Sequence, residues 1–133
     1  MNEPSLEREN IIIKAVNQIN KKEIEIGLNI VIHSNLPMGK GLSSSAALEI
    51  SIINAIIRIF DIEISDQEII KRCQKVDHKH IGILSGTLDQ SASQLSKKGA
   101  ILILDFKNNS VEYVNHQLLD GTWILIDSMI KRE

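Results

Sequence analysis

Leu36-Pro37-Met38-Gly39-Lys40-Gly41-Leu42-Ser43-Ser44-Ser45-Ala46-Ala47-Leu48-Glu49 is the stretch that organises the chain. Before it, Ile24 to His33 alternates through Ile24, Ile26 and Leu28, then becomes continuous at Ile30-Val31-Ile32. That is the pattern of a strand entering a buried sheet. After it, an apolar helix is predicted from Ser44 to about Phe60. Pro37 ends the strand because it has no N–H for a ladder. Gly39 and Gly41 permit a sharp turn that a ligand can approach without meeting a Cβ. Ser43, Ser44 and Ser45 fall where a helix has unsatisfied N–H groups. Aimed donors and the positive end of the helix dipole make such a terminus attractive to anions. A phosphate cradle is the functional reading, although an ordinary capped helix begins with the same residue types. The spacing fits neither Gly-x-x-x-x-Gly-Lys-Ser/Thr nor Gly-x-Gly-x-x-Gly.

Working outward, the helix from Ser44 carries Ala46, Ala47, Leu48, Ile50, Ile52, Ile53, Ala55, Ile56, Ile57 and Ile59. It is apolar almost all round and is expected to be the central buried helix. Its isoleucine pairs lower its intrinsic propensity, so packing must hold it. Residues 1–20 read as a short helix with Ile11, Ile12, Val16 and Ile19 at helical spacing. Ser65-Asp66-Gln67-Glu68 is a capping box that opens a helix running to about His80, with Ile69, Ile70, Cys73 and Val76 inward. A loop containing Gly82 and Gly86 leads to a short helix, Leu88 to Leu95. Ala100–Phe106 and Val111–Val114 form a hairpin across Lys107-Asn108-Asn109-Ser110. Trp123 to Asp127 is a last strand.

The totals narrow the function classes. A chain of 133 residues with 43% hydrophobic and 24% charged residues is expected to be one globular, soluble domain. A net charge of −2 and 3% aromatic content give no footing for nucleic acid. No apolar run reaches the roughly 18 residues that span a bilayer, so no membrane partner is expected. The polar N-terminus has no signal-peptide pattern, and the single Cys73 fits a reducing compartment; the expected location is cytoplasmic. Within a helix, Cys73 reads as a small packed hydrophobe.

Pro37-Met38-Gly39-Lys40-Gly41-Leu42-Ser43-Ser44-Ser45-Ala46 resembles the second signature of the GHMP small-molecule kinases, Pro-x-Gly-x-Gly-Leu-Gly/Ser-Ser-Ser-Ala. The triple serine followed by Ala-Leu-Glu is similar to the galactokinase branch. Cys73-Gln74-Lys75-Val76-Asp77-His78, Gly82, and Ser85-Gly86-Thr87-Leu88-Asp89-Gln90 resemble that branch's Cys-Gln-x-Ala-Glu-His-x-x-x-Gly-x-x-Cys-Gly-Ile-Met-Asp-Gln at the same spacing. Lys97 to Asp105 is similar to its Lys-Lys-Gly-His-Ala-Leu-Leu-Ile-Asp run, so the likeness covers roughly residues 24–128.

The resemblance implies an α+β fold, a mixed β-sheet with a buried central helix of the GHMP kinase N-terminal type. It implies a sugar kinase that phosphorylates a monosaccharide from MgATP at its anomeric hydroxyl, with ATP and Mg2+ as cofactors. Gly39, Lys40, Gly41, Leu42, Ser43, Ser44 and Ser45 would hold the ATP phosphates. The Ser45 hydroxyl would ligand magnesium, and Asp77 stands where the family has a magnesium-ligating Glu. Asp89 would be the catalytic carboxylate, and Gly86 would let the sugar approach the backbone. A carboxylate is a weak base for an alcohol, but a loose phosphoryl-transfer transition state needs little early proton removal.

Departures from the pattern are Asp77 for Glu, Lys40 for the usual Ala, and Ser85 and Thr87-Leu88 for Cys and Ile-Met. Lys40 is expected to face solvent. Residues two apart, such as His78 and His80, do not share a helix face, so no metal is expected there. Nothing in residues 1–23 resembles the family's first signature, Gly-Arg-x-Asn-Leu-Ile-Gly-Glu-His, and the C-terminal domain would begin after Glu133. Residues 1–133 are therefore expected to be a single partial N-terminal kinase domain, as a fragment, a split gene or a shortened descendant. A second chain or a missing segment would complete it. The rival readings are a non-catalytic nucleotide- or sugar-binding module and a purely structural α+β domain.

Overall fold

A computed structural model describes residues 12–17, 28–78, 85–115, 122 and 124–129. In chain order the elements are helix α1 (residues 12–17), α2 (Ser44–Ile59), α3 (Asp66–Val76), α4 (Leu88–Leu95) and strands β1 (Ala100–Asp105) and β2 (Ser110–Asn115). Helices and a hairpin give the α+β class expected. Among the described residues the sheet is the antiparallel pair β1–β2, with Leu102 opposite Tyr113 and Asp105 opposite Ser110.

The core forms along one face of α2. Ile50, Ile53 and Ile56 recur at the spacing that lines a single helix face, and they are buried with Ile52, Ile69, Cys73 and Ala15. The opposite face, with Ser51, Ala55 and Ile59, is exposed, so α2 is central but not enclosed all round. Helix α3 presents Ile69, Ile70, Cys73 and Val76 inward, as its periodicity predicts. Both α3 and α4 pack on α2 and on each other. A polar seam ties the three together. Asn54 Nδ2 donates to Gln94 Oε1 at 2.7 Å, and Gln94 Nε2 donates to Asp66 Oδ1 at 2.7 Å. The hairpin joins this layer through Tyr113, whose hydroxyl donates to the carbonyl of Leu95 at 2.8 Å.

Several local expectations need adjustment. Ser65 caps α3 by accepting from the Glu68 N–H at 3.3 Å, but the Glu68 carboxylate turns away to Arg72 Nε at 3.0 Å, so only half of the capping box forms. An ion pair at i,i+4 competes directly with the reciprocal cap. The hairpin turn comprises residues 106–109, one residue earlier than the sequence indicates. The Asp105 carboxylate accepts from the Lys107 and Asn108 N–H groups and draws the chain into the turn. Residues 28–33 and 124–127 are not in a ladder among the described residues, and Val31 is 97% exposed. Their apolar alternation satisfies strand propensity, but a strand exists only with a partner. The remainder of the predicted first helix, the rest of the strand starting at Ile24, the His78–His80 helix end and the Gly82 loop fall partly or wholly outside the described residues.

Ile53 is fully enclosed between α2 and its neighbours. Ile53→Ala is expected to cost about 3 kcal/mol in denaturant unfolding, from lost transfer energy and the cavity left behind. A loss under about 1 kcal/mol would show that the α2 face is not the core of the folded chain.

Candidate functional site

The loop before α2 has the backbone that its glycines permit. Gly39 and Gly41 have φ of 66° and 74°, and Ser43 is also left-handed at 53°. A Cβ built on either glycine meets nothing within 4 Å, so the loop's surface is open. Ser43 precedes the first helical residue, and its carbonyl accepts from Ala47 N–H at 3.1 Å, but its side chain makes no cap. The first turn of α2 contains no acidic residue. Uncapped N–H groups and an uncompensated helix dipole therefore face the loop. Beside this turn lies a groove of about 360 Å³ lined by Leu36, Met38, Ser44, Ala47, Leu48 and Ser51 among others. Ser45 is exposed.

Lys40 is exposed, as expected, and also pairs with Asp127. Its Nζ lies 2.7 Å from Asp127 Oδ2, which brings the segment 124–129 against the loop. Hydrogen bonds from Lys40 and then from the Met129 N–H hold the Asp127 carboxyl below the usual carboxylate range. Both partners are largely solvated, so the pair contributes little stability.

The second half of the site lies where α3 ends. After Val76 the chain makes a π-type turn over Asp77 and His78, a local irregularity that places side chains off the regular helix path. Asp77 Oδ2 accepts from Gln90 Nε2 at 2.5 Å and from Ser85 Oγ at 3.3 Å. Gln74 Nε2 donates to the Ser85 carbonyl at 3.1 Å, and His78 Nε2 lies 2.8 Å from the same oxygen. The Ser85-Gly86-Thr87 turn is thus fastened to the end of α3. Asp89 is exposed in the first turn of α4, next to Gln90, and Gly86 is exposed with open space over its Cα.

Glu49 links the two halves. It is 0% exposed, and neither carboxylate oxygen has a partner. Burial first, and then the like charge of Asp77, push its carboxyl up to about 8, so it carries a proton at neutral pH. Ser45 and Glu49 are four residues apart and share a face of α2. The charge of Asp77 is felt at Glu49, so the buried face of α2 at Glu49 lies near the end of α3. Burial, Glu49 and Asp77 also push the Cys73 thiol up to about 12, which makes it an inert packed group as expected.

The structure thus gathers Asp77, Gly86 and Asp89 around the α3–α4 connection and keeps residues 39–45 as one exposed loop. Sequence reasoning overlooked Glu49 and Gln90. The signal for Glu49 was present: it is the one acid among Ala46, Ile50, Ile53 and Ile56 on the buried face. Among the described residues there is no group of three or more His, Cys, Asp and Glu side chains arranged to hold a metal. No helix there is long and apolar enough to cross a membrane.

Comparison with known proteins gives the family. Residues 10–97 match the model of the GHMP kinases N terminal domain. The galactokinase of Clostridium perfringens is 36% identical over 111 residues, covering 84% of this chain and 29% of the relative. The galactokinase of Thermosipho africanus is 34% identical over 123 residues, 92% of this chain and 35% of the relative. That of Thermotoga petrophila is 37% identical over 106 residues, 80% of this chain and 30% of the relative. The family match over most of the chain establishes that it belongs to the GHMP kinase family through its N-terminal domain. It spans about a third of the length of the curated relatives that it matches.

Two outcomes follow. In unfolded chain Glu49 ionises near its ordinary value of 4.5, whereas in the folded chain it does so near 8. Its protonated form therefore costs nothing below 4.5, and stability is lost progressively as pH rises from 4.5 to 8. Glu49→Gln, which cannot ionise, should gain in melting temperature relative to wild type across that interval. Parallel curves for the two proteins would contradict a raised Glu49. At the loop, Ser43→Gly should relieve left-handed strain of ~1 kcal/mol, partly offset by greater unfolded-chain entropy. A small rise in the urea midpoint is expected, and a clear fall would show that the Ser43 side chain has a stabilising partner.

Proposed function

We propose that this chain forms the nucleotide-binding part of a sugar kinase of galactokinase type, which phosphorylates a monosaccharide, at its anomeric hydroxyl, from MgATP. The observation that supports this most is the pairing of an open, left-handed, acid-free helix start with a carboxylate, Asp77, whose charge reaches Glu49 in the same helix. The residues fit both cofactors. Gly39 and Gly41 leave the room that phosphate oxygens need, and Ser45 and Asp77 supply the hard oxygen donors that Mg2+ prefers, few in number. Bound magnesium would neutralise phosphate charge and orient the transferred group.

In this reading the N–H groups of residues 39–45 bind the phosphates. The Lys40 ammonium stays with Asp127 or moves to a phosphate oxygen. Asp89 orients the attacking hydroxyl and takes its proton late, and Gly86 lets the sugar approach the backbone. The remaining contacts would come from segments corresponding to the rest of the relatives' length, on the same polypeptide or a second one. The place of action would be the cytoplasm. A binding module without turnover is the second reading, and sugar-dependent ATP turnover separates the two.

Calorimetric titration of MgATP into the folded chain tests the reading. Binding that Ser45→Ala weakens about tenfold is expected, from loss of one contact to a charged group. Asp89→Asn should leave that affinity unchanged while removing any sugar-dependent ATP turnover. A folded wild-type chain that binds no MgATP would refute the cradle; binding without turnover under any sugar would favour the module.

A further inference from the structure

Asp77 is reached by two donors, and both go to the same oxygen. Gln90 Nε2 and Ser85 Oγ share Oδ2, while Oδ1 has no hydrogen bond among the described residues. Gln90 is 1% exposed, so its amide is fixed in a single sense: the NH2 is on Asp77, and Oε1 is left inside the protein with no partner. Only two other buried side-chain atoms among the described residues lack a partner, and both are Glu49 oxygens. Glu49 comes from α2 and Gln90 from α4, which pack together. No hydrogen bond joins the two among the described residues.

We propose that Gln90 is a positioning residue for Asp77: it pins Oδ2 and leaves Oδ1 as the one oxygen available to a divalent cation. This rests on the assignment of Asp77 to the cation made above. The arrangement also suits an aspartate at this position. A short side chain has few rotamers, and clamping one oxygen fixes where the other can be. Because Gln90 directly follows Asp89, the same turn of α4 that holds Asp77 carries the second acid. Residues that orient a metal ligand in this way typically change metal affinity by 10- to 100-fold when removed.

The test is a titration of Mn2+ into the folded chain with ATP, read by electron paramagnetic resonance, beside metal-free ATP binding in chelator. Gln90→Met keeps the length and the burial but removes the donor. It is expected to weaken Mn2+ binding about tenfold while leaving metal-free ATP binding unchanged. A residue that only supported the fold would lower the melting temperature without this selective loss. Unchanged Mn2+ affinity in Gln90→Met, with affinity lost in Asp77→Asn, overturns the positioning role alone. Should Gln90→Met not fold, Gln90→Glu carries the same test, because its carboxylate repels Asp77; unchanged affinity there is equally decisive. If Asp77→Asn binds Mn2+ like wild type, or wild type binds none, the cation assignment of Asp77 is what fails, and the positioning role falls with it.

Discussion

The packing of one face of α2 holds everything else in place. Ile50, Ile53 and Ile56 set the helix against Ile69 and Cys73 of α3, and intrinsic propensity could not do this, since β-branched residues are mediocre helix formers. Fixing the axis and rotation of α2 fixes two features at once. Its N-terminus aims free N–H groups at the glycine loop, and its inner face carries Glu49 toward Asp77. Burying four isoleucine side chains at about 1.5–3 kcal/mol each yields a driving force that can bear one buried acid.

That acid is the costliest choice in the core. A carboxyl at this position of an isoleucine face could be replaced by leucine with a gain in burial. Retaining it at 0% exposure requires it to stay neutral. The polar groups that lack partners, Glu49 and Gln90, both neighbour Asp77, by repulsion in one case and by a direct hydrogen bond in the other. Polar frustration is therefore concentrated at one spot and is not scattered through the interface.

How much of this was readable in advance depended on how local each determinant is. The α2 boundaries, the inward face of α3, the short α4 and the hairpin followed from periodicity and turn chemistry, which act within a few residues. The left-handed turns at Gly39 and Gly41 followed from glycine itself. The half-formed capping box did not, because Arg72 competes for Glu68 from the next turn. Nor did the Lys40–Asp127 pair, which joins residues distant in sequence. Strand character at 28–33 and 124–127 was read from composition, yet a ladder depends on a neighbour that no local pattern specifies. Motif spacing identified Asp77 and Asp89 as a pair of interest, but not that Gln90 connects them, because that contact depends on how α3 and α4 meet.

Asp61, Asn109 and Met129 are left-handed in turns of their own, but four other breaches of local rules lie near one another. Ser43 adopts a left-handed conformation that costs a non-glycine residue of order 1–2 kcal/mol. Asp77 sits in a π-type turn where α3 would otherwise continue. Glu49 is buried without a partner, and Gln90 has its carbonyl unsatisfied. Any one could be accidental. They lie at the start of α2 and the α3–α4 connection, and locally inconsistent residues persist only where the surrounding structure over-determines them. The isoleucine face supplies that over-determination. The strained loop and the buried acid are thus two consequences of anchoring one helix firmly enough that its end and its inner face can both be given over to polar chemistry.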